Sequence, residues 1–391
     1  MFIILIFGIV FLISGIIEQV NHDKRLKKIP IRIHVNGTRG KSTTTRLIAA
    51  GLREAGFKVL AKTTGTLPRL ILEDGTEIPV KRRGNANISE QMKILANGAK
   101  RKVDALVLEC MAVNPEPQWV SEHKMIKSTI GVITNVREDH LEDVGPGLNN
   151  MAESLKLTIP QKGVLVTAEK DYFSIFKKQA DQLKTKIIFA DPNFIPSNIL
   201  EKFNYMNFKE NVSIALQVNK LLGIDEEVAL RGILKASPDP GALKIYELAK
   251  GDKIIFFVNA FAANERTSTL LIWENINKKT YLKNLPAIAM LNSREDRVLR
   301  NIQFAHLLAK EINFSKILLV GPQSKLMERT LLKLKVSPDK IINLSRIPDI
   351  EKILQFVLQF TENKVLLVGF GNTKGMGQRI IEYFNEFGEE K

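Results

Sequence analysis

The sequence predicts an α/β protein in which two domains, each built on a mainly parallel β-sheet, follow one N-terminal transmembrane helix. Three observations carry this prediction. Short β-branched runs alternate with longer amphipathic stretches from residue 31 onward, a glycine-rich turn joins the first run to a helical pattern, and residues 1–17 carry no charge. The chain has 391 residues, 45% of them hydrophobic, which suffices for two or three domains with their own cores. This composition excludes a disordered chain or a disulfide-stapled mini-protein.

Residues 1–20 are predicted to form a membrane anchor, because a helix through Val20 would span about 30 Å, the thickness of a bilayer's hydrocarbon core. The nearby basic residues follow the apolar run and none precedes it, unlike in a cleaved signal peptide. By the positive-inside rule we expect a single-pass protein of the cell membrane with a cytoplasmic body. A helix lying on the membrane surface or in a core is the alternative.

The net charge and the cysteine content limit the classes of partner and cellular compartment that the protein could have. Lys and Arg number 57 against 42 for Asp and Glu, a net charge of +15, which favours a polyanionic partner or simply a solvated lysine-rich surface. The single cysteine, Cys110, excludes an internal disulfide and a cysteine-based zinc site, and it suggests a reducing compartment. No recognisable motif for reading nucleic acid is present, so we expect no nucleic-acid partner.

The first globular domain is predicted over 28–236 and the second over 241–391, because Pro and Gly are dense around 236–241. In the first domain, strands are predicted at 31–35, 58–62, 105–108, 129–134, 163–167 and 186–189, and helices at 42–55, 89–99, 148–157 and 171–182. In the second domain, strands are predicted at 253–258, 287–291, 316–320, 340–343 and 365–369.

The most specific motif is a glycine-rich run between a predicted strand and a predicted helix: Gly37-Thr38-Arg39-Gly40-Lys41-Ser42-Thr43. Glycines let backbone N–H groups cradle phosphate oxygens, and the helix N-terminus adds its positive dipole end. Lys41 would reach the β- and γ-phosphates, and Ser42 would offer its hydroxyl to Mg²⁺. The general eight-residue pattern requires glycine at position 35, where this chain has Val35, so only a shorter form of the motif is present. A glycine-rich turn that opens an ordinary helix is the alternative.

Two further residues follow predicted strands and would lie at the same edge of the sheet. Glu109 ends an apolar run, where it would supply a carboxylate to Mg²⁺, or else be an exposed charge at a strand end. His140 follows the next strand and would bind a second metal or orient a carboxylate. A surface position for this loop histidine is the alternative.

Together these motifs resemble the Mur ligase and folylpolyglutamate synthase superfamily, and within it the poly-γ-glutamate synthase (PgsB/CapB) family. The resemblance covers nearly the whole chain, and its residues are Asn36–Thr43, Lys62–Thr66, Glu109–Pro115, Asn135 with Glu138–His140, Pro238–Ala242, Asn259–Asn264 and Asn292–Arg297. It implies a P-loop, Mur-ligase-like central domain and a C-terminal Rossmann-like domain. Mur enzymes carry a further domain before the phosphate loop, which here begins at Gly37, so a murein-precursor ligase is disfavoured.

The resemblance implies an ATP-dependent amide ligase that forms an acyl phosphate on a glutamate γ-carboxylate, using ATP and Mg²⁺, with Mn²⁺ as the alternative metal. Lys41 would hold the β- and γ-phosphates, Ser42 and Glu109 the first metal, and His140 a second metal. The implied partners are glutamate, the growing poly-γ-glutamate, the membrane, and integral-membrane synthase and export subunits of the PgsC/CapC and PgsA/CapA kinds. A homo-oligomer is compatible with this assignment.

Other candidate residues rest on weaker patterns. Lys156 matches the second half of the superfamily's carbamylated-lysine motif, although Ala152 is one residue too far away; a surface lysine is the alternative. Arg82 and Arg83 would bind substrate carboxylates as bidentate forks or be solvated loop charges. Candidates for closing over nucleotide or substrate in the second domain are Asn264, Arg294 and Asp296.

Two other functions compete with this assignment, besides the nucleic-acid-binding module that only the charge suggests. A membrane-tethered ATPase that powers a partner would use the same phosphate loop without forming a bond. A folylpolyglutamate-type ligase would act on a soluble substrate, which the predicted anchor disfavours. A dinucleotide site at Gly369–Gly377 would need glycine at position 374, where the chain has Lys374, so a strand–turn–helix near the ATP site is preferred.

Overall fold

The computed structural model describes residues 2–65, 67–82, 86–137, 144–145, 147–203, 205, 207–239, 243–261, 263, 266–347 and 349–391. The chain divides into two structural units, Met1–Gly241 and Ala242–Lys391. Both units are α/β with mainly parallel sheets, which confirms the α/β part of the predicted fold class.

The first unit contains an eight-stranded sheet. Its strands are β1 (Ile31–Asn36), β2 (Val59–Lys62), β3 (Arg69–Ile71), β4 (Glu77–Pro79), β5 (Ala105–Glu109), β6 (Ile130–Ile133), β7 (Val164–Thr167) and β8 (Lys186–Phe189). Its helices are α1 (Phe2–Lys27), α2 (Lys41–Glu54), α3 (Ser89–Arg101), α4 (Pro115–Val120), α5 (Leu148–Leu155), α6 (Phe173–Gln182), α7 (Ser197–Glu201), α8 (Lys209–Leu221) and α9 (Glu226–Leu234). Shorter turns are a π-helix (Ser121–Ile126) and 3₁₀ segments at Lys156–Thr158 and Pro192–Phe194.

The order of strands brings the ends of three of them together. The sheet runs β4-β3-β2-β5-β1-β6-β7-β8, and only the β2–β3–β4 pairings are antiparallel. On one side of β1, Val35 is in register with Glu109 of β5, and on the other side Asn36 is in register with Ile133 of β6. Because ligands of such sheets bind beyond the carboxyl ends of the strands, this edge is where a site is expected.

The face of the sheet that carries Ile33 and Val35 is covered by α2, α8 and α9. Apolar side chains of α2, such as Leu47 and Ile48, are fully buried there. The helices approach closely: a Cβ on Gly232 of α9 would lie 2.5 Å from the Ala50 carbonyl oxygen of α2. This packing fixes α2, and with it the loop that precedes α2, against the central strand.

Helix α1 has an exposed and a packed part. The apolar side chains described between Ile4 and Val20 are largely exposed, whereas Leu26 is buried in a cluster with residues of α3. Arg32, near the start of β1, donates to the carbonyls of Leu26 and Ile29 at 3.2 and 2.6 Å, satisfying the end of the helix. Among the described residues, no helix has the length and apolar character needed to cross a membrane. The predicted transmembrane anchor is therefore not supported; the helix runs on beyond its apolar stretch through polar residues 18–27.

The second unit is a seven-stranded sheet in the order β13-β12-β11-β14-β10-β9-β15, in which β9 and β15 alone pair antiparallel. Its strands are β9 (Lys244–Lys250), β10 (Lys253–Asn259), β11 (Ala287–Asn292), β12 (Lys316–Val320), β13 (Ile341–Asn343), β14 (Lys364–Gly371) and β15 (Glu389–Glu390). Its helices are α10 (Arg266–Lys278), α11 (Val298–Lys310), α12 (Ser324–Lys333), α13 (Ile350–Leu358) and α14 (Met376–Phe387), with a 3₁₀ turn at Pro338–Lys340. Aromatic packing, such as Phe257 stacked on Phe384 at 4.3 Å, forms its core.

Candidate active site

The glycine-rich loop between β1 and α2 adopts a conformation that its glycines require. Gly37 has φ of 125° and Gly40 has φ of 79°, a region that side chains disfavour. A Cβ on Gly37 would lie 2.1 Å from the Thr134 hydroxyl, and one on Gly40 would lie 2.4 Å from Oδ1 of Asn211. Neither position accepts a side chain without moving its neighbour.

The loop is held against the residues that follow β6. Asn135 accepts from the backbone N–H of Arg39 at 3.0 Å and donates to the Arg39 carbonyl at 3.1 Å. The Thr134 hydroxyl donates to the same carbonyl at 2.6 Å, and the Thr38 hydroxyl accepts from the N–H of Arg137 at 3.0 Å. These bonds fix the loop backbone before any ligand binds. Asn135 is one of the residues that carry the family resemblance. Its role in holding the loop backbone follows only from the pairing of β1 with β6.

Lys41 lies across the loop. Its ammonium group donates to the carbonyl oxygens of Gly37 at 2.6 Å and Thr38 at 3.1 Å. Helix α2 begins at Lys41 with no side-chain cap and no acidic residue in its first turn. The first N–H groups of the helix and the lysine therefore form a positively polarised cradle of the size and chemistry that phosphate groups need.

Ser42 and Glu109 meet at the mouth of this cradle. The Ser42 hydroxyl donates to Oε2 of Glu109 at 2.8 Å, and the backbone N–H of Thr64 donates to the same oxygen at 2.7 Å. Glu109 is buried at the end of β5, so its carboxylate is held in one orientation. A hydroxyl and a carboxylate oxygen at this spacing are the donor set that Mg²⁺ prefers, with waters and phosphate oxygens completing an octahedron.

Nothing further from the chain completes a metal site in the part that the structure describes, where no three His, Cys, Asp or Glu side chains gather. His140, predicted to bind a second metal, lies outside the described residues, as do Arg83 and Asn264. The roles of these three residues stay predictions.

The remaining predicted site residues have partners within the protein. Lys156 begins the 3₁₀ turn after α5 and forms an ion pair with Glu153 three residues earlier. Arg294 forms an ion pair with Asp296 in the second unit, beyond the end of β11. Arg82 binds Glu90 with two hydrogen bonds. The Arg82 guanidinium, which was predicted to bind a substrate carboxylate, therefore already binds Glu90 along one edge.

A buried lysine that the sequence reasoning did not assign lies beside this pair. Lys62, the last residue of β2, is completely buried, with its ammonium group 3.2 Å from Oε2 of Glu90 and 3.5 Å from the Met111 sulfur. Burial lowers the pKa of Lys62, while the Glu90 carboxylate opposes that shift. Burial would raise the pKa of Glu90, but Arg82 and Lys62 hold it below its usual value. The signal in the sequence is a single lysine that ends an otherwise apolar strand.

A second buried ion pair lies inside the same domain. His34 of β1 contacts Glu122 of the π-helix at 2.8 Å, with side chains that are 0% and 1% exposed. The other Glu122 oxygen accepts from the backbone N–H and the hydroxyl of Ser128, both at 2.9 Å. Burial alone would lower the pKa of His34, but Cys110 and Glu122 outweigh it and raise the pKa to about 10. This ion pair connects β1, the strand that leads into the phosphate loop, to the π-helix.

Comparison with known proteins assigns the class. The Mur ligase middle domain matches residues 35–233, which include the loop, Ser42 and Glu109. The poly-gamma-glutamate synthase CapB C-terminal domain matches residues 245–387. The chain is therefore built from a Mur-ligase-type nucleotide domain and a second domain of the CapB type.

Individual relatives narrow the class to one family. The chain is 42% identical over 387 residues to the capsule biosynthesis protein CapB of Bacillus anthracis, covering 98% of this chain and 83% of that protein. It is 40% identical over 389 residues to the PGA synthase CapB of Bacillus subtilis (strain 168), covering 99% and 98%. The chain belongs to the CapB family of poly-γ-glutamate synthases, which confirms the resemblance inferred from its motifs.

Solved structures with the same fold are more distant in sequence. Folylpolyglutamate synthase of Mycobacterium tuberculosis complexed with ADP has a TM-score of 0.68 at 13% identity, covering 93% of this chain and 92% of that one. The bifunctional folylpolyglutamate synthase/dihydrofolate synthase of Yersinia pestis CO92 has a TM-score of 0.66 at 15% identity, covering 94% of this chain and 92% of that one. A bifunctional folylpolyglutamate synthase/dihydrofolate synthase with Mn, AMPPNP and L-glutamate bound gives the same TM-score, identity and coverage. At this identity the likeness establishes the fold.

Proposed function

We propose that this chain is an ATP-dependent amide ligase that activates a glutamate γ-carboxylate as an acyl phosphate and joins it to the amine of another glutamate, building poly-γ-glutamate. The observation that carries the proposal is the 2.8 Å contact between the Ser42 hydroxyl and the Glu109 carboxylate, beside a preformed phosphate loop. Its presence in a chain 40% identical to the PGA synthase CapB of Bacillus subtilis connects the site to this polymer.

The residues present fit ATP and a divalent metal. Lys41 and the N-terminal turn of α2 would bind the β- and γ-phosphates. Gly37 has no side chain, so it does not obstruct the backbone N–H groups of the loop. Ser42 and Glu109 would hold Mg²⁺ through oxygen ligands, and Mn²⁺ accepts the same donors. When bound, the metal draws negative charge from the phosphate oxygens and lowers the repulsion between two anions.

The reaction needs two transfers in sequence. A γ-carboxylate oxygen attacks the γ-phosphorus and the bond to the ADP oxygen breaks, so the γ-phosphoryl group moves to the carboxylate. The neutral amine of the next glutamate then attacks the acyl carbon, loses a proton and expels inorganic phosphate, which leaves an amide. Lys41 would hold the phosphates in line and balance part of their charge, Glu109 would hold the metal in place, and neither would form a covalent bond.

The test supplies the complete membrane assembly with ATP, Mg²⁺ and glutamate and measures ADP, phosphate and γ-linked polymer. We expect ADP and amide bonds to appear in equal amounts, and Glu109→Gln to abolish both while the chain stays folded. Lys178→Gln, which changes an exposed lysine of α6, is the matched control and should retain synthesis. ADP released without any amide would favour the ATPase alternative and contradict the proposal.

We also propose that synthesis takes place at the cytoplasmic face of the cell membrane with integral-membrane synthase and export subunits. The exposed apolar side chains between Ile4 and Val20 of α1 support attachment to an apolar phase. Fractionation of cells carrying the full chain, or a chain that starts at Glu18, tests this. The full chain should sediment with membranes and the shortened chain should not; equal distribution of the two would contradict the proposal.

A further inference from the structure

Three charged side chains form a row at the carboxyl end of β2, which we call the Arg82–Glu90–Lys62 row. Arg82 donates from Nε to Oε1 of Glu90 at 2.6 Å and from Nη2 to Oε2 at 3.2 Å. Lys62 also contacts Oε2 of this carboxylate, at 3.2 Å. The side chains are 24%, 14% and 0% exposed in the order of the row, so it runs from solvent into the protein.

The geometry leaves one edge of Arg82 open. A guanidinium has two forks that match a carboxylate: the side fork, Nε with one Nη, and the end fork, formed by both Nη atoms. Glu90 takes the side fork. Among the described residues, no hydrogen bond or ion pair occupies Nη1 of this partly exposed arginine, so its end fork can still donate to a second carboxylate.

The row lies beside the candidate metal site. Lys62 ends β2, which pairs with β5, and Lys62 is in register with Leu108, the residue before Glu109. Two residues beyond Lys62, the N–H of Thr64 donates to Glu109 at 2.7 Å. An anion held by Arg82 would therefore be on the same sheet edge as the carboxylate that faces the phosphate loop.

We propose that Arg82 binds a carboxylate of the acidic substrate through its end fork, and that Glu90 and Lys62 are positioning residues for it. This inference rests on the proposed function and names a subsite within it. Glu90 holds the guanidinium plane in one orientation. Lys62 neutralises Glu90, so that the row carries one net positive charge and the incoming carboxylate meets attraction rather than repulsion.

This arrangement explains why a lysine is buried at a strand end. Burying an isolated ammonium group costs free energy of folding. A buried ion pair often adds little stability, so a role in substrate specificity is the better reason for keeping Lys62 at this position. Without Lys62, the charge of Glu90 would cancel that of Arg82, and the row would have no net positive charge to attract the substrate carboxylate. The row therefore predicts different effects for its three members.

The experiment measures KM for glutamate and for ATP in the assembled synthase, together with equilibrium binding of a labelled γ-linked glutamate oligomer in the presence of Mg²⁺ and a non-hydrolysable ATP analogue. Arg82→Gln should raise KM for glutamate and weaken oligomer binding by about tenfold or more, the loss of one bidentate charged contact, with KM for ATP within about twofold. Arg82→Lys should not restore binding, because an ammonium group lacks the second fork. Lys62→Met should weaken oligomer binding, and adding Glu90→Gln to Lys62→Met should recover part of it.

The matched control is Arg101→Gln, which breaks a similar ion pair with Glu73, 2.8 Å long, at the other end of α3. It should leave both KM values unchanged. The proposal is overturned if Arg82→Gln leaves oligomer binding intact, if it changes the KM values for glutamate and ATP together, or if Arg101→Gln has the same effect. γ-linked product made by the wild-type synthase upholds the ligase function whichever result the Arg82 variants give.

Discussion

Replacing Glu122 with glutamine should destabilise the first unit strongly, because the Glu122 carboxylate is buried together with its partner His34. In the wild type its carboxylate accepts from Nδ1 of His34 at 2.8 Å and twice from Ser128 at 2.9 Å. Glutamine has one acceptor oxygen, which would keep the Ser128 bonds. Its amide nitrogen would then face the Nδ1 proton of His34, and a buried imidazolium would lose its counter-charge.

Two estimates give the size of the effect. Breaking a buried ion pair by removing one partner costs about 3–5 kcal/mol. Independently, raising the pKa of His34 from 6.5 to about 10 is worth about 4 kcal/mol at pH 7 if the whole shift is lost. Cys110 contributes to that shift, so the second value is an upper bound for Glu122 alone. We therefore expect Glu122→Gln to lower the free energy of unfolding by about 3 kcal/mol.

The pair also predicts a pH dependence. Because folding raises the pKa of His34, the folded state binds the extra proton, and the stabilisation is complete below pH 6.5 and lost as the pH rises towards about 10. Between these values the wild-type unit should lose stability with rising pH by at most about 1.4 kcal/mol per unit. The slope should be much smaller in Glu122→Gln.

Urea unfolding followed by tryptophan fluorescence measures both effects. The chain has two tryptophans, Trp119 in the first unit and Trp273 in the second, so a Trp273→Phe background makes Trp119 the reporter of the first unit. Glu153→Gln, which breaks an exposed pair worth at most about 1 kcal/mol, is the control. A loss below about 1 kcal/mol in Glu122→Gln, with an unchanged urea dependence, would refute the reasoning because it would mean that His34 is neutral.

Three further predictions concern the phosphate loop. Gly37→Ala should weaken binding of a fluorescent ATP analogue by about 100-fold, because its Cβ would lie 2.1 Å from the Thr134 hydroxyl at a positive φ, whereas Gly56→Ala, with open space around it, should not. Asn135→Ala should weaken the same binding by roughly tenfold through two lost hydrogen bonds to the loop backbone, and unchanged affinity in calorimetry would contradict its bracing role. Lys41→Gln should abolish polymer synthesis at an unchanged melting temperature; residual synthesis near the wild-type rate would disprove its proposed contact with phosphate.

The sequence predicted the central strands and the loop well because their signals are local. The strand predicted at 31–35 is β1, and the helix predicted from residue 42 begins one residue earlier as α2. The buried strand β5 is a nearly continuous apolar run, and a glycine-rich turn marks the end of β1. The neighbouring ends of β1 and β5 then follow from parallel pairing, which brings Ser42 and Glu109 together.

The sequence did not predict the hairpin β3–β4, the strand β9 or the partners of the buried charges. Strands β3 and β4 have three residues each and are antiparallel, so they have too few alternating positions to give a period. The Lys62–Glu90 pair joins residues that are 28 positions apart, and tertiary contacts of that kind leave no local pattern. Arg82 was considered as a substrate residue, but its orientation depends on Glu90, which sequence reasoning did not connect to it.

Arg32 donates one hydrogen bond to Leu26 in the last turn of α1 and one to Ile29 just beyond it, and these bonds have a mechanical consequence. Only residues 28–30 separate α1 from β1. Because the Arg32 guanidinium holds this short connection, α1 is restrained in its orientation relative to β1. A strand of six residues rises about 20 Å, which sets the span from this joint to the phosphate loop. A membrane or partner that binds the exposed part of α1 thereby also sets the distance between itself and the site at which each new amide bond is made.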